Sequence, residues 1–174
     1  MIARFLAGMT LWFALANAIQ AADKVPVGVI PLDGRPAPEL KLADMDGKAF
    51  DLSSLRGKWV MVHFWASWCG PCRREMPTLA GLQQELGDGE PRLILVNTAE
   101  RDDEVFSFLA IVAPDLATLM DRDGRVTDRW QPRGLPATFF VDPAGKLRYV
   151  ALGGRPWNKP EYQGFVRGLA AKKP

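Results

Sequence analysis

Cysteine and histidine are scarce in these 174 residues: two of the first and one of the second. A closed tetrahedral zinc site takes about four ligands, so that scarcity argues against one. Neither charge sign is in excess, the formal net charge being +2. There is no basic footprint for nucleic acid and no polyacidic tail. The mixed-sign runs at residues 101–104 and 121–125 read as solvated surface. Repeats, low-complexity tracts and dividing linkers are also lacking. What is present is apolar material, 48% of the residues, enough for one domain with a real core.

Long hydrophobic runs are missing too. The apolar stretch at residues 5–16 is shorter than the roughly 20 residues that a spanning helix prefers. It follows Arg4 and leads into Ala16-Asn17-Ala18, an A-x-A cleavage pattern. This is the layout of a secretory signal peptide. The expectation is a leader at residues 1–18, with cleavage as late as residue 22, and a single domain at residues 19–174. An uncleaved anchor is the alternative. Export changes how the cysteines read. Two cysteines in an oxidising compartment would ordinarily form a staple. Cys69 and Cys72 enclose so short a loop that bonding them removes little unfolded-state entropy. Reversible redox chemistry is the better reason for that spacing.

Periodicity outlines the fold. Residues 25–40, rich in Pro and Gly, read as an extended lead-in. Two short apolar segments flank Asp44-Met45-Asp46-Gly47, a hairpin signal. Residues 59–65 form a continuous apolar run broken by His63 and suit a strand buried on both faces. Met76, Leu79, Leu82 and Leu86 recur at helical spacing, and Gly87 and Gly89 stop that helix. Residues 92–98 read as a second buried strand. Asp102, Asp103 and Glu104 start a helix at its positive end, and Pro114 ends it. A short strand at 116–120, a short helix at 124–130, a β-hairpin over 136–152 and a closing helix at 159–171 follow. The alternation implies an α/β fold, a mixed central sheet with helices on both faces and a hairpin at the N-terminal side.

Trp65-Ala66-Ser67-Trp68-Cys69-Gly70-Pro71-Cys72 lies at a strand-to-helix junction. A thiolate, not a thiol, attacks a disulfide, and a free cysteine has a pKa of about 8.5. Unpaired N–H groups and the positive end of the macrodipole at a helix N-terminus stabilise the anion. Pro71 costs nothing in the first turn, where its missing N–H would be unpaired anyway. Cys69 at the cap is then the attacking residue and Cys72, one turn inside, the resolving one. C-x-x-C in this context is a strong redox signal.

The stretch from Phe64 to Pro77 resembles the signature of the thioredoxin superfamily. It is most similar to the TlpA/ResA branch of exported thiol:disulfide reductases, with the cytochrome c maturation thioredoxins close by. The likeness spans roughly residues 37–171. It includes Ala37-Pro38-Glu39-Leu40, Leu55-Arg56-Gly57-Lys58, Pro77 inside the helix, and Gly134-Leu135-Pro136-Ala137-Thr138-Phe139. The resemblance implies a thioredoxin-like fold and a cis-proline at Pro136 facing the cysteines. An ordinary trans proline at a strand start is the alternative. A cis turn there would expose the backbone of Leu135 as an edge for an extended substrate. Trp68, Gly70, Pro71 and Leu135 make the expected docking surface, with Trp65 in the core. Glu75, one turn past Cys72, matches a glutamate that serves proton transfer in the ResA branch; an exposed acid favouring the dipole is the competing reading. Arg73 and Arg74 read as a solvated helix face or as added positive potential.

His63 departs from the resemblance, since thioredoxin has a buried aspartate and the TlpA branch often an asparagine at that place. Strand alternation puts residues 63, 65 and 67 on one face. A neutral imidazole below the pair could take the proton of Cys72, or it is a core histidine bonded to backbone.

The functional expectation is a protein-disulfide reductase of the periplasm that works through a mixed disulfide. Its only redox group is the Cys69–Cys72 pair, with no other cofactor and no metal. Implied partners are protein disulfides, among them apocytochrome c cysteines, and a membrane electron donor. Gly70-Pro71 repeats thioredoxin's spacer, which favours the reducing end of a range from about −270 to −120 mV. The alternative is a Cu(I)-carrying module, since two thiolates suit that soft ion. A peroxidase would need a further cysteine.

Overall fold

The computed structural model describes residues 25–171 apart from 88 and 90. The leader expected at residues 1–18 lies outside the described residues. Eight strands and four α-helices follow in order: β1 (Val29–Pro31), β2 (Lys41–Ala43), β3 (Ala49–Asp51), β4 (Val60–Trp65), α1 (Gly70–Leu86), β5 (Arg92–Thr98), α2 (Asp102–Val112), β6 (Thr118–Asp121), α3 (Arg125–Trp130), β7 (Ala137–Val141), β8 (Leu147–Leu152) and α4 (Pro160–Ala171). Six strands form one sheet in the order β1-β8-β7-β4-β5-β6. Strands β4, β5 and β6 are parallel, and β7, β8 and β1 add antiparallel. The sheet is therefore mixed, as expected. The Asp44–Gly47 hairpin forms as a separate ribbon of β2 and β3, closed by Asp44 Oδ1 accepting from the backbone N–H groups of Asp46 and Lys48.

Pleating divides the core into two layers. Met61 and Trp65 of β4 pack on one side with Met76, Leu79 and Leu82 of α1, Val105 and Phe108 of α2 and Phe165 and Leu169 of α4. Val60, Val62 and Phe64 point the other way, against Trp130 of α3 and Leu40 and Leu52 below the hairpin. Helices thus cover both faces. Full burial of one such side chain stabilises the fold by about 1.5–3 kcal/mol, so the two layers, more than helix propensity, hold the elements in place.

One strand was not expected. Residues 25–40 read only as an extended lead-in, yet Val29–Pro31 pairs with β8 at the edge of the sheet. Three residues, one of them proline, are too few to show an alternating pattern.

Candidate active site

The site grows from the junction between β4 and α1. Cys69 is the N-cap of α1, with extended φ and ψ, and Pro71 lies in the first turn. The Cys69 Sγ accepts the backbone N–H of Cys72 at 3.3 Å, one of the orphan donors that every helix start leaves. The two cysteines are joined by a disulfide across Cα atoms 5.2 Å apart. Cys72 is fully buried and Cys69 is 5% exposed, whereas Gly70 is half-buried and Pro71 is open to solvent. Trp68 stands beside them, 68% exposed, while Trp65 is entirely inside and donates its Nε1–H to Thr118 Oγ1. Leu135 packs against the cluster that contains both cysteines, and the Leu135–Pro136 peptide bond is cis.

Glu75 does not sit on the helix surface. It is 4% exposed, which displaces the reading of an open acid. Its Oε2 accepts from the backbone N–H of Arg155 at 2.8 Å and from Trp157 Nε1 at 3.2 Å. Burial pushes its carboxyl up to about 7, against those donors and the Arg155 charge, which pull it down. His63 is also fully buried; its Nδ1 lies 2.9 Å from Thr138 Oγ1, its register partner on β7. Loss of solvent drives its pKa down to about 3, so the ring is neutral. Its Nε2 faces Glu75 Oε1 at 3.3 Å.

A second buried carboxylate was not found by sequence reasoning. Glu100 accepts from the backbone N–H of Ser67 at 2.7 Å, from Asn97 Nδ2 at 2.6 Å, and from the Ser67 hydroxyl. The Ser67 carbonyl accepts from Arg73 Nη1 at 3.1 Å, and the Arg73 guanidinium lies 4.8 Å from the Phe108 ring centroid. Every polar group of Ser67 is therefore held, two residues before Cys69. Glu100 adjoins the charged run at 101–104, so its charge read as surface. Its place just past the carboxyl end of a parallel strand, where α/β sites collect, was the available signal. Arg73 is more than solvated face, while Arg74 stays exposed. Among the described residues, no group of three or more His, Cys, Asp or Glu side chains could hold a metal ion.

Comparison with known proteins decides the lineage. The AhpC/TSA family model matches residues 34–150. The chain belongs to the AhpC/TSA family. Within that family it is similar to the thiol-disulfide oxidoreductase ResA of Bacillus subtilis (strain 168), 33% identical over 121 residues that cover 70% of this chain and 68% of the relative. The thioredoxin-like protein YneN of the same organism is 31% identical over 160 residues, covering 88% and 92%. Among solved structures, a thiol:disulfide interchange protein DsbE from Chlorobium tepidum superposes with a TM-score of 0.69 at 30% identity, over 78% of this chain and 96% of that one. A secreted Mycobacterium tuberculosis disulfide oxidoreductase homologous to E. coli DsbE gives 0.62 at 26% identity, over 75% and 96%. These likenesses agree with the thioredoxin-like fold expected from the cysteine motif, and they place the bonded pair of this AhpC/TSA member in the setting of a redox site.

Proposed function

We propose that this chain reduces protein disulfides outside the cytoplasm, with Cys69 attacking and Cys72 resolving. The class, thiol:disulfide oxidoreductase, follows from the family and from the C-x-x-C pair. The observation that supports the division of labour is the cap geometry. Cys69 Sγ already accepts an N–H at the start of α1, and the same donor stabilises its thiolate once the pair is reduced. The thiolate attacks one sulfur of a substrate disulfide; a bond to Cys69 Sγ forms, the substrate S–S bond breaks, and the other substrate sulfur leaves as thiolate. Cys72 then loses its proton and attacks Cys69 Sγ. The mixed disulfide breaks, Cys69–Cys72 re-forms, and the substrate carries away two electrons.

Trp68, Gly70, Pro71 and Leu135 supply the docking rim. No described residue is bonded to the backbone of Leu135, so an extended substrate segment has an edge on which to add. Pro136 belongs to the support of this loop, its carbonyl accepting from Gly153 N–H at 2.9 Å. The substrates are protein disulfides of the periplasm, oxidised apocytochrome c cysteines being one candidate class, and a membrane thiol reductase returns the electrons. Among the described residues no helix is long and apolar enough to cross a membrane. The test is covalent trapping in the native cell: Cys72→Ser accumulates proteins on Cys69, and Cys69→Ser accumulates none. Equal trapping by both variants overturns the assignment.

A further inference from the structure

Resolution of the mixed disulfide requires a place for the proton of Cys72. Glu75 is one helical turn on from Cys72 and shares its face of α1. Its Oε1 and His63 Nε2 are both sealed from solvent, and neither makes a hydrogen bond of good geometry to any described residue. They are 3.3 Å from each other. Two orphaned buried polar atoms are costly, and one proton between them removes both costs. Acceptance of the Cys72 proton by a buried glutamate is what the likeness to ResA implies for Glu75; we propose that His63, where the resemblance breaks, completes it, the two side chains forming a single acid–base unit that alternates between no proton and one shared proton, with His63 setting the proton affinity of Glu75. The proposal rests on the cysteine roles given above.

The groups around the unit set its limits. With no proton, Glu75 is a carboxylate facing the Arg155 backbone N–H, the Trp157 indole and the Arg155 guanidinium. Uptake of the Cys72 proton makes Glu75 neutral, and its O–H donates to the Nε2 lone pair of His63. Hydrogen bonding to the neutral acid favours that form, so His63 raises the affinity of Glu75 for the proton. A second proton would leave a buried imidazolium with no anion beside it, and burial opposes that. On the far side of the ring, Thr138 Oγ1 is a rotor that donates or accepts. It therefore follows the imidazole whichever nitrogen carries the hydrogen. The proton then leaves by the cleft of about 340 Å³ that Glu75 shares with Pro71, Arg74, Gly154, Arg155 and Pro156. Its destination is the departing substrate thiolate or solvent. The unit ends without a proton, ready for another turn. In this scheme Glu75 receives the proton and His63 is a positioning residue that sets its affinity.

Single-turnover reduction of a small aromatic disulfide by the reduced protein separates the two steps, since attack by Cys69 and release by Cys72 each liberate one chromophoric thiolate. In the native protein the release rate titrates with a midpoint above the value of about 7 that burial, Arg155 and Trp157 set for Glu75, because His63 adds to its proton affinity. Glu75→Gln removes that titration and slows release by at least tenfold, within the 10²–10⁴ commonly contributed by acid–base catalysis or just below it. His63→Asn keeps a titration but moves its midpoint to lower pH. Attack by Cys69 is unchanged in both. An unshifted midpoint in His63→Asn overturns the shared unit, whereas absence of any mixed disulfide overturns the cysteine assignment instead. A second measurement spares the histidine. His63 is the sole histidine, so its imidazole ¹⁵N signals are unambiguous. They should shift with the Glu75 midpoint in the native protein and stay flat in Glu75→Gln. Flat signals in the native protein, or an unaltered step in the variant, refute the proposal.

Discussion

At the scale of single residues, the buried pair of Glu75 and His63 pulls stability in opposite directions. Glu75 carries its proton more tightly folded, near 7, than at its ordinary value of 4.5. The folded state therefore binds more protons between those values, and stability falls as pH rises through that window. His63 is the reverse, near 3 folded against 6.5: the unfolded state binds more protons, and stability rises from pH 3 to 6.5. Where the windows overlap, from 4.5 to 6.5, the two slopes cancel. Below 4.5 only the histidine acts, and about 1.5 units at 1.36 kcal/mol each is a loss of about 2 kcal/mol by pH 3. Urea unfolding across pH should show for this pair a plateau from 4.5 to 6.5. Glu75→Gln should replace it with a rise, and His63→Asn with a fall. Identical profiles in all three proteins would contradict the buried assignment. The sequence marked both residues as candidates but not as partners. Alternation told which face His63 takes, yet a glutamate on a helix reads as surface until the loop carrying Arg155 and Trp157 is seen to close over it.

At the scale of elements, the start of α1 was readable because its signals are local: a cap, a proline and an apolar period. The loop before it was not, because what holds it comes from elsewhere in the chain. Glu100 reaches Ser67 from 33 residues away, and Arg73 closes from the other side. Removing Glu100 leaves the Ser67 amide and Asn97 without their acceptor, an effect of about 1–3 kcal/mol. Glu100→Ala should lower the urea midpoint by that order. It should also raise hydrogen exchange at the Ser67 amide selectively, before exchange rises in β4. Uniform loosening across the sheet would show that Glu100 supports the core at large and not this loop. The lead-in over residues 25–40 failed differently: β1 owes its pairing to the exposed flank of β8 and carries no pattern of its own.

For the whole molecule, the mixed sheet and its two apolar layers followed from the order of periodic segments, since a chain alternating in this way has few ways to cover both faces of a sheet. Two expectations belong at this scale. Equilibration of the pair against glutathione should give a potential nearer about −270 than −120 mV; a value at the oxidising end would count against a reductase. The protein recovered from cells should begin near Ile19 or just after Ala22, and intact Met1 on protein free in the cytoplasm would contradict export.

The margins of the sheet bear on a hazard that any receiver of extended chains must meet. An open strand that accepts one peptide can accept another, and fibrils nucleate that way. Here β1 has three residues and ends in Pro31, and the outer side of β6 is bridged at Leu119 by Asp44 of the hairpin turn. Both flanks are thus poor templates, whereas Leu135, on the docking role proposed for it, lies before a cis peptide bond and next to the cysteine cluster, away from both margins of the sheet. If the proposed reductase role holds, unfolded oxidised clients should therefore come and go singly, without seeding aggregates on the sheet.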